Sequence, residues 1–359
     1  MVFSSSRNNA VIVLFFLLIS YPLFYFCYKF GNPEMGGRDY FDYYNLYANW
    51  NYSAVDAPFN TRIISPYLVY LFGKLHFAYD THIAFIKAGY SPEVYFSAVF
   101  VNYISTVLTC FVIYKIIEDF LRSRMIALLA GIVYLLGFGT CFYDLTGLTD
   151  AFSSLLFALI IYFYLRKSPF TLVLLLLSII QREYILMVVG LMAAFDLVFR
   201  KENRSFHFQI LLASVLFFGT YFILRKTIFL SPRFEAQLQV GTYFSRLFSL
   251  QGIHWPEFIR QTILSQNLVF LYLGILLLKV VAKKKINKLN FVFTILLFIQ
   301  ANVINFLAVL GNNGGRFFYM TMPLVMYYAA IEVQPFLESY FRSAELKTEK
   351  TFTEISEDV

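Results

Sequence analysis

The hydrophobic positions of the chain form long blocks, and most charged positions lie in short segments between these blocks. An α-helix of about 20 apolar residues is long enough to cross the hydrocarbon core of a bilayer. The clearest blocks cover residues 11–30, 92–117, 125–143, 151–165, 206–224, 263–281, 290–310 and 317–334. We therefore predict an all-α, polytopic bundle of transmembrane helices with about ten spans.

The apolar block over residues 170–199 is interrupted at its centre by the polar triplet "QRE". One straight helix over this block would be about 45 Å long, against a hydrocarbon core of about 30 Å. It would also bury two charges at mid-membrane and place the following "RKENR" on the outside, against the positive-inside rule. We predict instead two short helices, 170–180 and 184–199, with the chain doubling back at "QRE" near the outer surface.

A long polar and aromatic segment, residues 31–91, follows the first predicted span. Its middle part, "IISPYLVYLFGKLHFAY", is too short and too interrupted for a confident span, and is typical of an amphipathic helix at the membrane surface. The dense basic clusters all fall on the side of the membrane opposite to this segment. By the positive-inside rule that side is cytoplasmic, and both termini are predicted to lie there. Residues 1–334 then form the transmembrane domain, and residues 335–359 form a polar cytoplasmic tail.

Composition supports this class. The chain is 59% hydrophobic and 14% charged, with a mean hydropathy of +0.64, whereas soluble domains are about 25% charged. The net charge of +7 comes from short clusters without a continuous basic face, so nucleic acid is not an expected partner. The three cysteines lie in or at the ends of apolar runs, and the four histidines form no ligand pattern.

The polar residues that remain after the basic clusters are set aside all fall on the predicted outer face, and their convergence in one cavity is a hypothesis. Arg182 and Glu183 of "QRE" are candidates because ionisable groups at membrane depth are usually functional. The alternative is a solvated or structural ion pair. Asp39 and Asp42 in "RDYFD" have helical spacing, and they suit a general base or a metal-binding carboxylate, or else a hydrated loop.

Three further outer residues are candidates for substrate binding. Arg62 suits phosphate because a guanidinium donates two parallel hydrogen bonds, although snorkelling at the interface is an equal alternative. Asp150 directly precedes a helix and could serve only as its N-cap. Arg316 follows a glycine-rich turn whose backbone N–H groups suit an anion, or which is simply a flexible loop. Asp144 is expected to lie in a plain turn.

These features, in this order, resemble the GT-C superfamily of integral-membrane glycosyltransferases. The resemblance rests on "RDYFD" after the first helix, on the amphipathic "APFNTRIISPYLVYLF", on "LTDAFSSLLFALIIYFYL", on the short helix pair around "QREYILM", and on "GGRFFYMTMPLVM". Unlike many members, the chain carries only a short polar tail after its last predicted span. It also has no visible motif for a peptide acceptor, so a glycan or lipid acceptor is expected.

The resemblance implies an enzyme that moves a sugar from a polyprenyl-phosphate donor, with inversion. Asp39, or else Asp42, would be the general base, and Arg62, Arg182 and Arg316 would hold the leaving phosphate. The recess beside the short helices would take the isoprenoid tail. No cofactor is required by the sequence, although a divalent metal would be compatible. The expected location is the bacterial inner membrane, with the site facing the periplasm or exterior.

Two other functions are compatible with the same residues. In a carrier or flippase for a lipid-linked glycan, the outer arginines would bind an anionic substrate without chemistry, and such proteins usually contain internal repeats. No convincing repeat is visible here. A non-catalytic scaffold instead predicts that Asp39, Asp42, Arg182 and Arg316 are dispersed in space.

Overall fold

The computed structural model describes residues 2–30, 39–56, 59–77, 89–200, 202–229, 256, 259, 263–264, 266–309 and 319–337. Within these ranges, the side chains of residues 2–7, 39, 301 and 304–309 are outside the described set. The described part of the chain is helical, without β-strands.

Twelve helices organise the described residues. They are α1 Val2–Phe30, α2 Asp39–Asn49, α3 Ile64–Gly73, α4 Pro92–Leu121, α5 Arg124–Leu135, α6 Asp150–Leu165, α7 Phe170–Ser178, α8 Glu183–Phe199, α9 Arg204–Thr227, α10 Asn267–Val281, α11 Lys288–Val309 and α12 over residues 322–337. Short 3₁₀ turns cover Tyr52–Ala54 and Phe59–Thr61, and a π-helical turn covers Thr140–Asp144.

The all-helical prediction is confirmed for the described residues, and the chain has the character of a membrane protein. Among the residues that the structure describes, three helices are long and apolar enough to cross a membrane: Asn8–Phe30 within α1, α4 and α9. Several shorter apolar helices accompany them. The total of about ten spans remains a prediction.

Helix α4 lies at the centre of the bundle. In its apolar window 72% of the residues are buried within the protein, against 22% for the windows in α1 and α9. Helices α1, α3, α5 and α6 all pack against it. Its start follows from local chemistry: Pro92 occupies the first turn, and the Ser91 side chain accepts a hydrogen bond from the Glu93 N–H at 3.2 Å. It ends where Arg122 adopts a left-handed conformation.

The span predicted over residues 125–143 is wrong in its second half. Helix α5 ends at Leu135, and the chain then forms the π-helical turn Thr140–Asp144. In this region the ring of Tyr319 packs directly against Gly139, where any larger side chain would overlap it. The first predicted helix also begins earlier than expected, at Val2.

The loop over residues 145–149 is held between α2 and α4. Asn102 of α4 donates a hydrogen bond to the backbone oxygen of Leu148 at 2.5 Å, and the Tyr47 hydroxyl of α2 donates to that of Gly147 at 3.0 Å. The ring of Tyr40 lies so close to Gly147 that a side chain there would overlap it. This loop therefore places the start of α6 beside α2.

Candidate functional site

The predicted interruption at "QRE" is confirmed. Helix α7 ends at Ser178, α8 begins at Glu183, and Arg182 between them is extended, with φ −160° and ψ 103°. Helix α7 packs against α6, α8 and α9. The observed helices are close to the predicted 170–180 and 184–199. The prediction rested on the cost of an unbroken helix, which would place two charges among apolar side chains.

Long-range hydrogen bonds hold this break in place. The Ile63 N–H donates to the backbone oxygen of Ile180 at 2.7 Å. The Gln181 side chain accepts from the Ser65 N–H at 3.1 Å and donates to the backbone oxygen of Thr149 at 3.2 Å. Backbone groups freed by ending a helix inside an apolar bundle need such partners. The first residue of "QRE" therefore ties the break to the starts of α3 and α6.

Arg182 forms a buried ion pair with Asp150. The guanidinium Nη2 lies 3.1 Å from the Asp150 carboxylate, with the two side chains 3% and 10% exposed. Arg182 is therefore not in the solvated turn that was one alternative for this residue. Asp150 is the first residue of α6, and Thr149 stands at the N-cap position, so Asp150 has a charge partner beyond any capping role.

Arg62 is buried, so it does not snorkel to the interface. Only 5% of its surface is exposed, and its Nη1 donates to the Tyr43 hydroxyl at 2.5 Å. The same hydroxyl accepts from Thr149 Oγ1 at 3.3 Å. Tyr43 therefore connects Arg62 to the residue directly before Asp150.

Arg225, at the end of α9, completes the group. It is 8% exposed, and its Nη1 donates to the Tyr221 hydroxyl at 2.8 Å. The positive charges of Arg62, Arg182 and Arg225 all act on the carboxylate of Glu183. Five charged side chains from four separate segments thus share one electrostatic environment.

We call Arg62, Asp150, Arg182, Glu183 and Arg225 the guanidinium cluster. It contains three arginines and two carboxylates. Burying an arginine is costly without partners, and the surrounding hydroxyl and carboxylate groups offset that cost. Such an arrangement can attract an anion with several acceptor oxygens, such as a phosphate.

The structure thus brings together four of the predicted site residues, Arg62, Asp150, Arg182 and Glu183. Asp42 is half-buried on α2 and directly precedes Tyr43, the partner of Arg62. Asp39 is the first residue of α2, but its side chain lies outside the described set. Arg316 also lies outside the described residues, so its part in the site remains a prediction.

Arg225 is among the polar residues that the sequence places on the predicted outer face, but it was not predicted as a site residue. It follows the apolar run of α9 beside Lys226, a position typical of residues that snorkel to the interface. A further signal was Tyr221 four residues earlier, on the same face of a helix. Lys226, in contrast, is exposed.

The expectation that Asp144 lies in a plain turn is wrong. It ends the π-helical turn and is fully buried, and its carboxylate accepts hydrogen bonds from the Tyr134 hydroxyl at 2.7 Å and from Ser154 Oγ at 3.4 Å. Isolated π-turns often occur at functional sites. Within the described residues, no group of three or more His, Cys, Asp or Glu side chains is arranged to hold a metal ion.

Comparison with known proteins does not place the chain in a family. No protein-family model, no curated protein and no solved structure matches it.

Proposed function

We propose that the chain is a multi-pass membrane glycosyltransferase of the GT-C type. It would move a sugar from a polyprenyl-phosphate donor to a glycan or lipid acceptor on the outer face of the membrane, in the orientation that the positive-inside rule favours. The guanidinium cluster at the helix break supports this proposal best, because it gathers three guanidinium groups at one end of α8. A phosphate joined to an isoprenoid is the kind of ligand that suits arginines beside lipid-facing helices.

The proposed reaction needs a general base and a set of residues that bind the phosphate. The acceptor oxygen forms a bond to the anomeric carbon, and the bond from that carbon to the phosphate oxygen breaks. The electron pair leaves with the polyprenyl phosphate, and the hydroxyl proton passes to a carboxylate. Asp39 or Asp42 would take the proton, and the arginines would stabilise the charge that grows on the phosphate.

The contacts around Tyr43 suggest how the two roles are joined. Asp42 and Tyr43 are neighbours on α2, and Tyr43 accepts a hydrogen bond from Arg62. A base on α2 would therefore keep a fixed position relative to Arg62, which lies before α3 and would bind the phosphate. Arg182 would bind the same phosphate as Arg62, while its ion pair with Asp150 holds the chain between α7 and α8 in place.

The test measures two properties of the purified full chain in lipid nanodiscs. One is the affinity for polyprenyl phosphate, and the other is its release from a polyprenyl-phosphate hexose when a lipid and glycan extract supplies the acceptor. Arg62→Gln and Arg182→Gln should each lower the affinity about tenfold or more, because each removes a charge-assisted hydrogen-bond donor. Asp39→Asn or Asp42→Asn should abolish release and leave the affinity unchanged.

Lys226→Gln is the matched control, since it removes an exposed charge beside Arg225 and should change neither property. Unchanged affinity in both arginine variants would exclude the phosphate role. Normal release in both aspartate variants would rule out the proposed base. Tight binding by the wild type without any release would favour the carrier function instead.

A further inference from the structure

A second charged region lies at the opposite end of α8 from the guanidinium cluster. Helix α8 has 17 residues, which corresponds to a length of about 25 Å. At its far end Arg200 pairs with Asp196 at 3.0 Å and donates to the Asn290 side chain at 3.1 Å. Beside this contact, α10, α11, α12 and the loop over residues 282–287 line an open surface cavity of about 720 Å³.

The floor of this cavity is electrically neutral. Lys279 of α10 and Glu332 of α12 form an ion pair whose side chains are 6% and 1% exposed. The second oxygen of Glu332 accepts the Asn287 N–H at 2.8 Å. The one carboxylate among the residues lining the cavity is therefore already engaged by a lysine and a backbone donor.

The rim of the cavity is strongly positive. Lys284, Lys285 and Lys288 line it and are exposed, and among the described residues no carboxylate forms an ion pair with any of them. Asn287 adds an amide side chain to the lining. Three ammonium groups around one cavity attract an anion with several oxygens, and a phosphodiester has this character.

Exposed apolar side chains lie on the two helices that flank this rim. Leu278 is 66% exposed and Val281 is 73% exposed on the last turn of α10, and Leu289 on the first turn of α11 is 38% exposed. In a membrane protein such surfaces face acyl chains. A soluble anion would use only the charged part of this region, whereas a phospholipid would contact both parts at once.

We propose that this basic cavity binds the head group of an anionic phospholipid, whose acyl chains lie against the exposed apolar side chains of α10 and α11. The ligand class is a phosphodiester with net negative charge, such as phosphatidylglycerol. The zwitterionic phosphatidylcholine is disfavoured because its own cation would meet the lysines. The site is independent of the proposed sugar transfer.

Native mass spectrometry of the purified full chain, incubated with phosphatidylglycerol or phosphatidylcholine, tests this proposal. The wild type should retain phosphatidylglycerol in clear preference to phosphatidylcholine. The triple variant Lys284→Gln, Lys285→Gln, Lys288→Gln should bind phosphatidylglycerol about tenfold or more weakly, since each lysine near an anionic head group contributes to the attraction.

A matched triple variant removes the same charge from the same end of the bundle. Lys283→Gln, Arg122→Gln, Arg204→Gln changes three exposed residues that do not line the cavity, and it should keep wild-type binding. Equal loss in the two triple variants would overturn the proposal in favour of a general charge effect. Displacement of the lipid by millimolar inorganic phosphate would overturn it in favour of a soluble anion.

Discussion

At the residue scale, the main question is how a guanidinium is held inside an apolar bundle. Arg182 has almost no solvent contact, and the Asp150 carboxylate lies 3.1 Å from it. Removing one partner of a buried ion pair leaves the other charge without its counter-charge. This destabilises the folded state more than replacing both partners with apolar residues does. The pair therefore has a structural role that can be measured apart from any substrate.

Asp150→Asn should lower the free energy of unfolding by about 3–5 kcal/mol, because Arg182 keeps its charge and loses its anionic partner. Denaturant titration of the full chain in detergent measures this. Glu202→Gln, which changes an exposed acid, should leave the unfolding midpoint unchanged. In a double-mutant cycle, Arg182→Met should cost less in the Asp150→Asn background than alone, and simple additivity would contradict the coupling.

At the element scale, the α5–α6 connection depends on one close approach. Gly139 sits under the ring of Tyr319, and Tyr319 also packs on Tyr134 with ring centroids 5.7 Å apart. Tyr134 donates to the buried Asp144. The short π-turn and the aromatic contacts thus form one packed unit that closes the end of α5.

Gly139→Ala should destabilise the protein by about 1–3 kcal/mol, because the added methyl overlaps the Tyr319 ring and forces a shift. Gly219→Ala in α9 is the matched control, since nothing lies within 4 Å of the added methyl. Alanine is the better helix former by about 1 kcal/mol, so this control should be neutral or slightly stabilising. Thermal unfolding in detergent compares the two variants, and equal midpoints would contradict the steric argument.

At the scale of the whole molecule, two charged regions stand at the two ends of α8. The guanidinium cluster surrounds its start, and Arg200 with the basic cavity surrounds its end. This separation is what the proposed orientation requires, with the site on one membrane face and the lysine-rich loop on the other.

Single-cysteine labelling tests this orientation in a variant without Cys27, Cys110 and Cys141. Lys226→Cys, beside the guanidinium cluster, should react with a membrane-impermeant maleimide added to intact cells with a permeable outer envelope. Lys285→Cys should react only after the inner membrane is opened. Labelling of both from the same side would contradict the proposed topology.

Local sequence information was sufficient for most of the helices and for the break between α7 and α8, but not for the end of α5. Helical blocks follow from runs of apolar residues, and "QRE" interrupts such a run with charges that a lipid-facing helix does not tolerate. The same reasoning selected Arg62, Asp150, Arg182 and Glu183 as candidates. It did not single out Arg225 from the other polar residues of the outer face, or separate Asp144 from a turn residue, because both distinctions depend on burial.

Hydropathy over neighbouring residues is therefore enough to predict the helical class, the membrane character and the place where the helix breaks. The meeting of Tyr43, Arg62, Thr149 and Gln181, in contrast, depends on packing. Their contacts join segments far apart in the chain. The physical reason is that a charged side chain has the same local signal whether it faces water or is buried against a distant partner, and only packing distinguishes the two.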